Sequence, residues 1–195
     1  MTKIKADIKF GKLKKLIEAM SKKHGIKVGL LANKGGSDER GEDLDNAGLG
    51  AIQEFGCDIK ITPKMAAFLA IRAKDLGLPK LEKQGDGYIH IPARSFLQMP
   101  LSRKNAIIKE LKNQLDTKDV DYIVKYFIKT GDMKTLATML GLSAKEIVLQ
   151  AFKTEGFGQW QPNSPFTVAM KGSSKPLLDT GELWEKIDFE VEDYD

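Results

Sequence analysis

The sequence is poor in the residues that bind metals and form cross-links. Its 195 residues include one cysteine, Cys57, and two histidines, His24 and His90. A single thiol excludes an internal disulfide framework and a cysteine-based zinc site. Two imidazoles leave little for metal or acid–base chemistry, so the composition argues against a metalloenzyme. No apolar run approaches the ~18 residues of a membrane-spanning helix. The opening Met1-Thr2-Lys3-Ile4-Lys5 has no signal-peptide core, so synthesis and use in cytoplasm are expected. What remains is ordinary for a soluble chain, with 42% hydrophobic and 30% charged residues. Such a length buries about 70% of its unfolded surface, enough for one domain, 1–195, without a staple.

The net charge of +4 is unevenly spread. From Met1 to Leu31 nine lysines face Asp7 and Glu18, whereas from Asp179 to Asp195 eight acids face Lys186 alone. A basic start and an acidic end can pair within one molecule or between neighbouring copies in a ring. Residues 33–48, rich in acids and glycine, read as a flexible acidic loop.

Apolar spacing predicts an amphipathic helix over Ile8–Met20, with Leu13, Leu16, Ile17 and Met20 on one face. Ile26–Leu30 alternates as a half-buried strand, and Leu49–Gly56 reads as one or two helical turns. Ile59–Ile61 is strand-like. Thr62 and Pro63 then suit the cap and first position of a helix over Lys64–Leu76 that buries Met65, Phe68, Leu69 and Leu76. Tyr88–Pro92 is strand-like, and Ser102–Leu115 and Asp119–Ile128 are helical. Met133–Phe152 is helical but broken at Gly141-Leu142-Ser143. After Phe152 the chain reads as irregular. Asp179 to Glu182 then matches a capping box, and Ile187–Val191 alternates as a last strand. The expected fold is α+β: a small antiparallel sheet packed by helices, with an added helical segment at about 103–141.

Few constellations carry chemistry. Cys57 has no basic neighbour before Lys60, so a Cys57–His90 nucleophile pair has no support. The acidic loop lacks the ligand spacing of a calcium site, and neither Gly35-Gly36-Ser37 nor Lys171–Lys175 has phosphate-loop spacing. Residues 133–152 have the rhythm of a helix-turn-helix, which makes a DNA-binding regulator the alternative reading. Glu146 dilutes Lys145 and Lys153 there, and an ordinary helical hairpin is the simpler expectation.

Two separated blocks resemble the Mu-like phage virion morphogenesis family. The first is Ala51-Ile52-Gln53-Glu54-Phe55-Gly56 followed by Ile89-His90-Ile91-Pro92-Ala93-Arg94-Ser95-Phe96-Leu97, with Ser95 where the family usually has proline. The second runs from Trp160-Gln161-Pro162-Asn163-Ser164-Pro165 through Lys171-Gly172 to Asp179-Thr180-Gly181. The resemblance spans most of the chain from Ala51 to Ile187, while Asp116–Gly141 looks like added helical material.

The resemblance implies a structural protein of phage or prophage, a neck protein acting in tail completion and head–tail joining during virion assembly. It implies no enzymatic activity, no catalytic or metal residues and no cofactor. Its implied partners are other tail and neck proteins and further copies of itself in a homo-oligomeric ring, a hexamer being one expectation, with a monomer in solution. Neither a membrane nor sequence-specific nucleic acid is implied, although phage DNA passes nearby. The implied location is the virion tail or neck, reached from host cytoplasm. The residues it marks for interaction are Glu54, Phe55, Gly56, Pro92, Arg94, Phe96, Trp160, Pro162, Pro165, Lys171, Gly172, Asp179, Thr180 and Gly181. Pro92 would end a strand there and leave Arg94 to pair with a carboxylate or a carbonyl.

Overall fold

Helix α7 (Lys134–Lys153) is twenty residues long, about 30 Å, and both hydrophobic clusters form along it. The computed structural model describes residues 2–22, 24–31, 46–79, 87–115, 117–130, 132–179 and 181–193. The expected acidic loop at 33–48 therefore lies outside the described residues except for its last three. These already belong to α2 (Asn46–Phe55), a longer helix than the turn or two expected.

The first cluster joins the amino-terminal half of α7 (Leu136, Ala137) to three other helices. They are α1 (Thr2–Met20; Leu13, Met20), α5 (Lys104–Gln114; Leu111) and α6 (Thr117–Thr130; Ile123). Leu13 and Met20 are buried and Lys12, Lys14 and Lys15 exposed, as the 3.6-residue period requires. Helices within 103–141 thus share one core with α1.

The second cluster gathers Val148, Ala151 and Phe152 of α7 with Phe96, Trp160, Leu183 and Ile187. Phe152 packs edge-on against both Phe96 and Trp160, at centroid distances of 5.3 and 5.7 Å. The single helix expected over 102–115 is α5, and a short helix not expected from the sequence, α4 (Gln98–Ser102), precedes it.

The fold is mixed α and β, as expected. Among the described residues the strands are antiparallel and form two separate ladders. β1 (His24–Leu30) pairs with β4 (Ile187–Asp193) in register His24–Asp193 to Leu30–Ile187, joining the two ends of the described chain. Lys27 forms ion pairs with Glu192 and Glu190, and His24 hydrogen-bonds Asp193 at 2.7 Å. Basic start and acidic end therefore meet within one molecule along this ladder. β2 (Cys57–Lys60) pairs with β3 (Tyr88–Ile91), where His90 sits opposite Asp58 and bonds it at 2.6 Å.

Four expectations are corrected. Helix α7 runs unbroken through Gly141, because that glycine is a notch: a Cβ there would lie 2.3 Å from the Phe189 ring. The turn needed for a helix-turn-helix or a helical hairpin over 133–152 is therefore absent. Helix α3 (Pro63–Asp75) starts as read, with Thr62 accepting from the Met65 amide at 3.2 Å. It buries only Ala73, however, and leaves Phe68 and Ile71 more than half exposed. The stretch after Phe152 is not wholly irregular. It holds α8 (Glu155–Gly158), a single turn whose four residues all have positive φ, and the regular helix α9 (Pro165–Lys171), capped by Ser164 accepting from the Thr167 amide. Finally, α10 (Glu182–Glu185) has no side-chain cap. Gly181 occupies its cap position at φ 92°, so Asp179 does not begin a capping box, and Thr180 lies outside the described residues.

Candidate functional site

The end of α2 docks on the segment that follows β3. Gly56, at φ 75°, brings the two backbones so close that a Cβ would sit 2.8 Å from the Ile91 carbonyl oxygen and 2.9 Å from the Ala93 nitrogen. The Arg94 amide donates to the Gln53 carbonyl at 2.7 Å. Next to it the buried Glu54 carboxylate closes the turn. Oε2 accepts from the Phe96 and Leu97 amides at 2.7 and 2.9 Å, and Oε1 accepts from the Gln98 amide at 2.9 Å and the Ser95 hydroxyl at 2.6 Å. Such an anion satisfies four donors at the entry to α4. Ser95 also accepts from the Met99 amide at 2.9 Å, a bond its hydroxyl supplies and proline could not.

The second block closes onto the first. Arg94 is buried and points across to the loop after Trp160, donating from Nε to the Gln161 carbonyl at 2.8 Å and from Nη2 to the Pro162 carbonyl at 3.2 Å. Of the two partner types expected for Arg94, it is the carbonyl that serves. Trp160 returns a bond from Nε1 to the Ser95 carbonyl at 3.2 Å. Gly156, in the left-handed region at φ 67°, lets the chain fold back over this indole; a Cβ there would lie 2.3 Å from it.

Beyond Arg94 lies a cleft of about 820 Å3, bordered by β3, the Gln161–Ser164 loop, α9, Leu177, Asp179 and Gly181–Leu183. Lys171 at the end of α9 donates to the carbonyls of Lys175 and Leu178, both at 2.6 Å. Burial pulls the Lys171 ammonium below its ordinary range; Asp179 opposes that shift, and the nearby Arg94 charge adds to it. Burial alone lowers Arg94. Leu177 on the same rim holds a left-handed backbone at φ 58°.

Of the residues marked from sequence, the structure brings Glu54, Gly56, Arg94, Phe96 and Trp160 into one bonded unit. Pro92, Pro162, Lys171, Asp179 and Gly181 stand around the adjoining cleft. Phe55 is not part of it, being 72% exposed. Pro165 serves as the first residue of α9 and Gly172 as its left-handed carboxyl cap, both at the surface. Sequence reading missed Asn46, a buried residue beside the cleft, and the bonding role of Ser95. Among the described residues no three His, Cys, Asp or Glu side chains converge as a metal site, and no helix is long and apolar enough to cross a membrane. No protein-family model, curated protein or solved structure matches the chain.

Proposed function

We propose that this chain is a structural phage or prophage virion morphogenesis protein that acts in tail completion and head–tail joining through ordered oligomerisation. The reading starts from the resemblance of its two sequence blocks to the virion morphogenesis family. One observation carries it furthest. Blocks more than sixty residues apart close on each other through the Arg94–Gln161, Arg94–Pro162 and Trp160–Ser95 bonds.

These residues spend their polar groups on holding backbone, which is what a scaffold presenting surfaces to neighbours needs. Glu54 is held by three amides and the Ser95 hydroxyl, and Arg94 by two carbonyls, rather than aligned as a nucleophile, base and orienter. The exposed apolar side chains Phe55, Phe68 and Ile71 give contact area to further copies of the chain in a ring. The DNA-binding alternative loses its supporting feature with the unbroken α7.

Deleting the gene from the phage or prophage that encodes it, followed by electron microscopy of the particles, tests the reading. Filled heads and separate tails, restored to joined particles by the gene supplied in trans, are expected. Joined, infectious particles without this chain would overturn it.

A further inference from the structure

We propose that helix α3 pairs with α3 of a second copy of this chain, antiparallel and about a two-fold axis, through Lys64, Phe68, Ile71 and Asp75. The inference goes beyond the ring reading. An isologous contact closes with two copies, so a ring that contained it would need a second, different surface. It is tested on the purified chain, without any virion.

α3 and its cap residue Leu76 have two opposite faces. Met65, Leu69, Ala73 and Leu76 recur at helical spacing and turn towards the protein, Ala73 buried and the other three half-buried. Lys64, Phe68, Ile71 and Asp75 lie on the other side and are all exposed, Phe68 at 55% and Ile71 at 61%. Steps of four, three and four residues keep them in one stripe, the spacing of a coiled-coil seam. Two large apolar side chains held side by side in water mark a contact surface.

The order of residues along the stripe identifies what covers it. It runs cation, apolar, apolar, anion, and the outer and inner pairs share one midpoint, between Leu69 and Ala70. An antiparallel copy centred there sets Phe68 of each chain against Ile71 of the other, and Lys64 against Asp75. Ala67 and Arg72, which flank the stripe, share that midpoint too, so the smaller side chain leaves room beside the longer one. A parallel copy would instead set like charge on like. An anionic lipid surface would match Lys64 and repel Asp75. The stripe is far smaller than the roughly 20 to 30 residues a side of a stable complex. The pair therefore forms in concentrated protein and separates on dilution.

The test is sedimentation equilibrium over about a hundredfold range of concentration. It compares wild type, Phe68→Ser, Lys64→Glu, Asp75→Lys and an equimolar mixture of the last two. Wild type is expected to rise from monomer to dimer mass and no further, and Phe68→Ser to associate at least about tenfold more weakly. Lys64→Glu sets acid on acid and Asp75→Lys base on base, so each alone is expected to associate about five- to tenfold more weakly. In the mixture each variant supplies the charge that the other lacks, and association returns to within about twofold of wild type. All three side chains are exposed, and the two charge variants decide the matter even if Phe68→Ser fails to fold. Four results would each overturn the proposal. They are a wild type that stays monomeric throughout, including one that sediments instead with phosphatidylglycerol vesicles; association that continues past the dimer; affinity unchanged within about twofold in folded Phe68→Ser; and a mixture no tighter than either charge variant alone.

Discussion

The Glu54 carboxylate and the Ser95 hydroxyl meet at 2.6 Å across forty-one residues of sequence, and three backbone amides converge on the same carboxylate. Removing the acid therefore strands four donors in a buried turn. Glu54→Ala is expected to cost about 3 kcal/mol or more, and Glu54→Gln, which keeps one acceptor, about 2 kcal/mol. Urea unfolding with an unchanged m-value measures both. A loss below about 1 kcal/mol for Glu54→Ala would show that the turn holds without its anion.

Gly141 invites a substitution whose outcome opposes helix propensity. Alanine inside an exposed helix gains about 1 kcal/mol over glycine. Here the added methyl would meet the Phe189 ring at 2.3 Å, so Gly141→Ala is expected to destabilise by about 1 to 3 kcal/mol. Phe189→Leu should recover part of that loss in the double variant, and equal losses with and without Phe189 would refute the notch.

What the sequence discloses depends on how local the cause is. The buried face of α1 follows from the spacing of Leu13 and Met20 alone, and the start of α3 from Thr62 and Pro63. The same signal, Ser164 before Pro165, marks α9, but it sits in a glycine- and proline-rich stretch that reads as irregular. Gly141 looks like a helix break because Phe189, which requires it, arrives only with the last strand. For the same reason Phe68 and Ile71 have helical spacing yet no core to face: periodicity gives a face, not what covers it. Glu54 and Arg94 stand out within the two blocks, whereas nothing local distinguishes Asn46, whose amide is orphaned only by the packing around it.

Lys171 offers a test by pH. Burial holds its folded value below the ordinary 10.5, so between the two values the unfolded chain binds more protons than the folded one. Stability contributed by this group is therefore lowest where it is charged in both states and rises as pH climbs through the folded value towards 10.5. Subtracting the unfolding free energy of Lys171→Met from that of wild type across pH 8 to 10.5 isolates the slope from other lysines. A difference that falls with rising pH would mean that Asp179 outweighs burial.

Lys12, Lys14 and Lys15 stand exposed on α1, opposite the buried Leu13. None supports the core, so reversing all three to glutamate should change folding stability by less than about 1 kcal/mol. The same reversal removes positive charge from the surface that the ring reading uses against acidic neighbours, and complementary charge governs encounter and register more than fold. Tail completion, scored as joined particles after complementation of a deletion, is expected to drop while the melting temperature of the purified variant holds. If the variant unfolds instead, the α1 lysines belong to the fold and not to assembly. If it folds and joins tails normally, subunit contacts are made elsewhere, and Phe68 and Ile71 on α3 become the residues to change.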